Sequence, residues 1–236
     1  MPPEAGPCLI RAVHARSRLA VVSLLLVGLC ACGGPRLREG TLYAGRVDGP
    51  PSMECLPDPD VTDDSLTEHM RFGRRLAEDA LAIPDPVPPE DHSATALTEW
   101  AGGPLRDWLA QKSHAVEEAR HELDTAAEES HRQRIMAGAI VGMLYESIGR
   151  VLGDVPSPDD LRDEPEIMEI YRATVAGEAS PYLETARRAY HACELNATEP
   201  RTMRHWEDFC SQRLEALPAP IDGSGEDVTE VDIISE

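Results

Sequence analysis

Lysine is nearly absent from this chain: Lys112 is the single one among 22 basic residues, the rest being arginine. Against them stand 43 acids and a formal net charge of −21. An acidic body repels phosphates, so a nucleic-acid ligand is excluded and direct adhesion to anionic headgroups is disfavoured. What this charge does first is keep the protein soluble. Basic protein faces and divalent cations are the partners it still permits. The lysine scarcity itself reads as genome base composition. Large ring residues are few as well, with two Phe, five Tyr and three Trp. A β-sandwich needs β-branched and aromatic strands that are missing here. The core must come from Ala, Leu, Ile, Val and Gly, which suits closely packed helices. The expected class is therefore all-α, as a helical bundle or stacked antiparallel helix pairs.

Several chemical templates are missing too. There is no P-loop, no Gly-x-Gly-x-x-Gly, no Gly-x-Ser-x-Gly and no Cys-x-x-Cys; phosphate cradles, nucleophile elbows and thiolate zinc sites are unsupported. Asp58-Pro-Asp60-Val-Thr-Asp63 begins like a calcium loop, but Asp63 stands at the glycine position and His69 at that of the terminal Glu. No cofactor and no catalytic residue is expected.

What is present begins with residues 18–32, Arg-Leu-Ala-Val-Val-Ser-Leu-Leu-Leu-Val-Gly-Leu-Cys-Ala-Cys. Arg11, Arg16 and Arg18 precede an apolar run from Leu19 to Leu29 that ends in small residues. A basic region, a short apolar region and a small-residue cut site make a secretory signal. Eleven residues are too few to cross ~30 Å of hydrocarbon, which takes about 20. The ending Leu29-Cys-Ala-Cys32 resembles the lipobox of bacterial lipoproteins. On that resemblance Cys32 becomes the acylated first residue, carrying palmitate-type chains, and Cys30 stands where the family has Ala, Ser or Thr. Gly33 in place of Asp implies sorting to an outer membrane. An ordinary signal cut after Ala31 and a buried core helix are the competing readings. A lipidated chain is anchored to its membrane without spanning it. Loss of 1–31, with its net +2, takes the formal charge from −21 to −23.

The chain then divides into a signal at 1–31, a tether at 32–62, a helical domain at 63–217 and a tail at 218–236. The tether holds Pro35, Pro50, Pro51, Pro57 and Pro59 with no helical period, and is expected to lift the body off the membrane. The tail has six acids and no base, and is expected to be disordered.

Within the body, Ser65-Leu-Thr-Glu68 reads as a capping box for a helix ended by Pro84-Asp-Pro86-Val-Pro88-Pro89. A short segment, Ala94 to Trp100, is expected to stop at Gly102-Gly103-Pro104, with Pro104 opening the next helix. Leu105, Leu109, Lys112, Val116, Ala119, Leu123 and Ala126 then form a coiled-coil-like seam opposite Glu117, Arg120, Glu122, Asp124 and Glu128. One helix over 105–152 would be about 70 Å long at 1.5 Å per residue; length alone favours a break near Ser130–Arg134. Ile135 to Tyr145 are apolar almost all round, the mark of a buried helix. Gly138, Gly142 and Gly149 fall within ~40° on its surface. Each costs about 1 kcal/mol against Ala, so another backbone is expected to pack closely there, with Gly153 ending the helix.

Three shorter helices are expected after a single turn at Ser157-Pro158-Asp159-Asp160. Asp163 and Glu166 open Ile167–Ala176, which stops at Gly177. Ser180-Pro181 opens Tyr182–Ala197, and Thr202 caps Met203–Leu217. Ala186, Tyr190, Cys193, Pro200 and Trp206 resemble part of the tetratricopeptide pattern. The resemblance covers about one repeat boundary and implies an antiparallel helix pair.

Cys193 and Cys210 have their midpoint between Arg201 and Thr202, inside the turn at Thr198–Thr202, and lie on the apolar seams of both flanking helices. Residues so placed meet in an antiparallel hairpin, and the implied compartment permits a disulfide; two buried thiols are the alternative. Cys55 is left over on the tether.

Glu118-Ala-Arg-His121 and Glu128-Glu-Ser-His131 are the best case for metal chemistry, since Glu-x-x-His puts both groups on one helical face. Here both fall on one helix, ten residues apart and about 80° out of register, on a charged face. His114, Glu118 and His121 are the candidates for a weak surface metal site. The expected function is a non-enzymatic envelope lipoprotein, anchored through Cys32 and presenting a helical surface to another envelope protein or a cell-wall polymer. The alternatives are a metal-binding protein or enzyme using the His114/Glu118/His121 face, and a periplasmic ligand-sensing domain. The last requires a concave apolar pocket among the helices.

Overall fold

A computed structural model describes residues 49–57, 65–199 and 201–218. Cys32, the leader, most of the tether and all of the tail beyond Pro218 lie outside the described residues. Six helices build the body: α1 (Glu68–Leu81), α2 (Ala94–Trp100), α3 (Arg106–Glu129), α4 (His131–Gly153), α5 (Pro165–Ala197) and α6 (Arg204–Ala216). No strand occurs among the described residues, and the all-α bundle follows.

α4 is the centre. Met136, Ile140, Met143, Leu144 and Ile148 are almost fully covered, because α3 packs on one side and α5 on the other, backed by α1 and α6. By length and composition α4 could cross a bilayer, but its apolar surface is mostly buried inside the body. The glycine stripe does what its spacing demands. A Cβ on Gly138 would sit 3.2 Å from the Ala189 carbonyl oxygen, one on Gly142 2.5 Å from the Tyr190 ring, and one on Gly149 2.6 Å from the Leu183 side chain. All three contacts lie on α5, running antiparallel to α4. Nothing lies within 4 Å of Gly153, where the helix ends.

The long 105–152 segment breaks at Ser130, whose extended backbone (φ −159°, ψ 152°) separates α3 from α4. Its hydroxyl accepts from the Gln133 amide at 3.2 Å, capping α4. Gln133 Oε1 in turn accepts from the Thr67 hydroxyl at 2.6 Å, pinning the corner to the start of α1. The α1 cap is Thr67, which accepts from the Met70 amide at 3.3 Å; the expected capping residue Ser65 lies two positions upstream.

Two expected helix stops do not stop the chain. Gly102-Gly103-Pro104 does not interrupt: Ala101–Leu105 forms a π-helical turn that joins α2 to α3. Gly177 and Ser180-Pro181 do not divide α5, which runs unbroken for 33 residues. Pro181 forfeits one hydrogen bond and crowds the carbonyl four residues back. That carbonyl belongs to Gly177, which has open space around it, and burial of Ala179 and Ala186 against the core holds the helix together. Asp163 does not open this helix; it begins with Pro165 at its first turn and has no side-chain cap. A 3-10 turn, Arg201–Met203, takes the place expected for a Thr202 cap before α6.

α5 and α6 form the antiparallel pair, joined by a Cys193–Cys210 disulfide. Cys55 is half-buried in a 3-10 turn, Met53–Cys55, and takes no part in that bridge. Met53 and Leu56 pack against the core, so residues 49–57 lie along the body where a free tether was expected.

Candidate functional site

Beside a more open, polar cavity of about 540 Å³ lined by Met53, Arg71, Arg75 and Glu78, the structure has an apolar cleft of about 480 Å³ between the α2–α3 arm and the first half of α5. Leu97, Ala101, Leu105 and Leu109 form one wall, Leu152 and Val155 the floor, and Tyr171 and Val175 the other wall. Its volume falls within the usual range for small-ligand sites.

The sequence builds these walls in an uncommon way. An α-helix cannot pass Pro104 without its ring meeting the carbonyl of Trp100. The chain widens instead: the Arg106 amide bonds to the Ala101 carbonyl, five residues back. Such π turns cost stability and recur at functional sites. Here the turn presents Ala101 and Leu105 to the cleft. One end is closed by the Asp159–Leu161 turn, where the Asp159 amide bonds to the His92 carbonyl and the Ala94 amide to Asp160 Oδ1, both at 2.9 Å. Tyr171 ties α5 to the same segment, donating to the Pro156 carbonyl at 2.7 Å. From Pro165 to Glu178 only Met168 is buried. A further cavity of about 310 Å³ lies against the same stretch of α5 and reaches Leu183 and Pro218. This part of α5 is thus poorly filled against the body.

The residues that the sequence offered for metal chemistry are not assembled into a site. His114 Nε2 lies 3.6 Å from Glu118 Oε1, with both side chains more than half exposed, and His121 is exposed one turn along. No group of three His, Cys, Asp or Glu placed to hold a metal occurs among the described residues. His131 is not on that face, because the break at Ser130 carries it onto α4. Its Nε2 sits 2.9 Å from the Asn196 carbonyl and 2.8 Å from that of Glu199, at the C-terminal end of α5.

Buried charge occurs at two places among the described residues, at Glu146 with Arg213 and at Lys112, which the seam spacing had already pointed inward. Glu146 is fully buried in the middle of the bundle. Its carboxylate faces Arg213 Nη2 at 2.5 Å and Arg150 Nε at 2.6 Å. It also accepts from Arg213 Nε at 3.0 Å and from the Tyr190 hydroxyl at 2.7 Å. Burial, then the charge of Glu146, pushes the Tyr190 hydroxyl well above its ordinary range. Arg213 also donates to the Gly49 carbonyl at 3.3 Å. The cluster therefore ties α4, α5, α6 and the N-terminal segment at one point. It lines none of the cavities described above and reads as a structural clasp.

Lys112 is the second. It lies in the α3 seam, 1 % exposed, with its amine 6.0 Å from the centre of the Trp108 ring. Burial lowers its pKa, against the pull of Asp85. The seam spacing placed it inward, but its residue type argued for composition alone. No family model, no curated protein and no solved structure matches this chain. Function therefore rests on the residues and the geometry.

Proposed function

We propose that this chain is a lipid-anchored, non-enzymatic protein of a bacterial cell envelope, held to its membrane through acylated Cys32. The observation that carries this reading is the Cys193–Cys210 bridge inside the folded body. Structural disulfides persist outside the reducing cytosol, which agrees with the signal-like run before Cys32. Gly33 after the lipidated position favours the outer membrane. The strongly acidic helical body suits display beside the membrane to another envelope protein or a cell-wall polymer, with no part for nucleic acid. Feeding an alkyne analogue of palmitate to producing cells tests this directly. The wild-type chain is expected to take up label, to lack residues 1–31 and to sediment with membranes, and Cys32→Ser to take up no label and to keep its leader. A native chain that retains Met1, carries no acyl group and stays in the cytosol refutes it.

The cleft favours a second reading for the body, as a ligand-sensing domain. A concave apolar pocket is what that alternative required, and a flat helical slab would have counted against it. The two readings are compatible, since one concerns the anchor and the other the body.

A further inference from the structure

We infer that the cleft between α2–α3 and α5 takes a single aliphatic chain, the hydrocarbon part of an alkyl or acyl amphiphile, with its head group left at the rim. This rests on the ligand-sensing reading of the body and names the class of ligand.

The argument comes from what the lining has left to offer. Three hydroxyls line the cleft, and the proton of each is committed to a backbone carbonyl, which leaves them as acceptors alone. Thr98 Oγ1 donates to Ala94 at 2.6 Å, Thr174 Oγ1 to Ile170 at 2.9 Å, and the Tyr171 hydroxyl to Pro156 at 2.7 Å. A sugar, nucleotide or polar metabolite would find three hydroxyl oxygens able only to accept and two charged groups at the rim, too few to replace the water it gives up. Among the lining residues Tyr171 is the single aromatic ring, so a planar aromatic ligand gains little stacking. What remains is aliphatic surface from Leu, Val and Ala side chains, which rewards buried methylenes without asking for direction. The charged lining residues are Arg106, from α3, and Glu178, from α5; both are exposed. One charge of each sign selects no head-group charge. The π turn fits this use, because it sets Ala101 and Leu105 on the wall of the cleft.

The test uses the mature chain from Gly33 onward, exported behind a cleavable leader, so that neither detergent, acyl anchor nor the apolar run Leu19–Leu29 competes for the cleft. Calorimetric titration with 1-hexanol, 1-octanol and 1-decanol is expected to show saturable one-to-one binding. Each added methylene should tighten Kd by about fourfold. Decanoate and decyltrimethylammonium should bind within a few-fold of decanol, as a rim without net charge requires. Ala101→Phe and Val175→Phe, which fill the cleft from opposite walls, should each weaken decanol more than tenfold. A photoreactive decyl diazirine gives a readout that needs no variant, and should label peptides within 94–109 and 171–178. Labelling confined to the cavity beside Leu183, or affinity indifferent to chain length, overturns the inference. If decanol fails but 2-naphthol or an apolar peptide binds and is displaced by the filling substitutions, the aliphatic assignment falls and the sensing reading survives. If no probe saturates and neither filling variant changes anything, both fall together.

Discussion

Replacing Glu146 with alanine should destabilise the body by about 3–5 kcal/mol, because it strands a buried charge. Glu146 has no exposed surface, and Arg213 opposite it keeps 3 % of its side chain exposed. Arg150, 30 % exposed, can turn to water and adds little. Tyr190 loses the acceptor of its hydroxyl, which costs about 1 kcal/mol more if nothing replaces it. Arg213 therefore dominates the loss. For a body of this size each kcal/mol moves Tm by about 2–4 °C, so the midpoint should fall by about 10 °C or more. Urea unfolding followed by far-ultraviolet circular dichroism measures the same difference as a shift in midpoint at constant slope. The decisive control removes both charges. Glu146→Leu with Arg213→Met should be near neutral, or stabilising by about 1–4 kcal/mol, since neither partner is left alone. A single variant that loses less than about 1 kcal/mol, or a double variant as damaged as the single one, would refute the reasoning.

Gly142→Ala and Gly177→Ala should differ in sign. Both gain about 1 kcal/mol of helix propensity, but the new methyl at 142 meets the buried Tyr190 ring at 2.5 Å while the one at 177 meets nothing. Overpacking costs about 1–3 kcal/mol, so thermal melts should show a net loss at 142 and a gain at 177. Lys112→Met should stabilise by about 1–3 kcal/mol, the usual cost of a buried polar group without a hydrogen bond. The wild-type chain should also gain stability as pH rises from the lowered folded value of Lys112 toward its ordinary 10.5. In that window the unfolded chain holds a proton that the folded one has released; Lys112→Met should flatten the slope in urea titrations between neutral and alkaline pH. Reduction of Cys193–Cys210, separated by 17 residues, should lower the urea-derived stability by about 3 kcal/mol, and a Cys193→Ser/Cys210→Ser chain should show the same loss without reductant.

Much of the bundle was legible because helices declare themselves by period. The seam from Val116 to Ala126, the stripe of Gly138, Gly142 and Gly149, and the placing of Cys193 and Cys210 on either side of a turn are spacings. A spacing becomes a contact once the turn between two helices is placed. Stops were misread for the converse reason. Pro104 and Pro181 carry strong local signals, but a local signal of a few kcal/mol is overruled when the flanking residues bury apolar surface on both sides of it. Thus Gly102-Gly103-Pro104 became a π turn and Pro181 an interior residue. Glu146 was missed in another way, while Lys112 was placed in the seam but given no role. Each sits where periodicity points inward, yet charged residue types are seldom buried alone. Trp108, four residues before Lys112 on the same helix, is its neighbour by the helical period, but nothing in the chain says that Arg213, 67 positions away, will meet Glu146. The cleft was not legible at all. It exists because α2 and α3 are joined by a widened turn and α5 fails to close against them, and no window of sequence contains both walls.

The chain by itself determined its class, its central helix, the pairing of Cys193 with Cys210 and the expectation of an anchored life, because composition and period are properties of neighbours along the backbone. Tertiary structure alone decided which charges are clasped in the core, which prolines are passed through and where an apolar space is left open. Those depend on surfaces that become neighbours after the helices have packed.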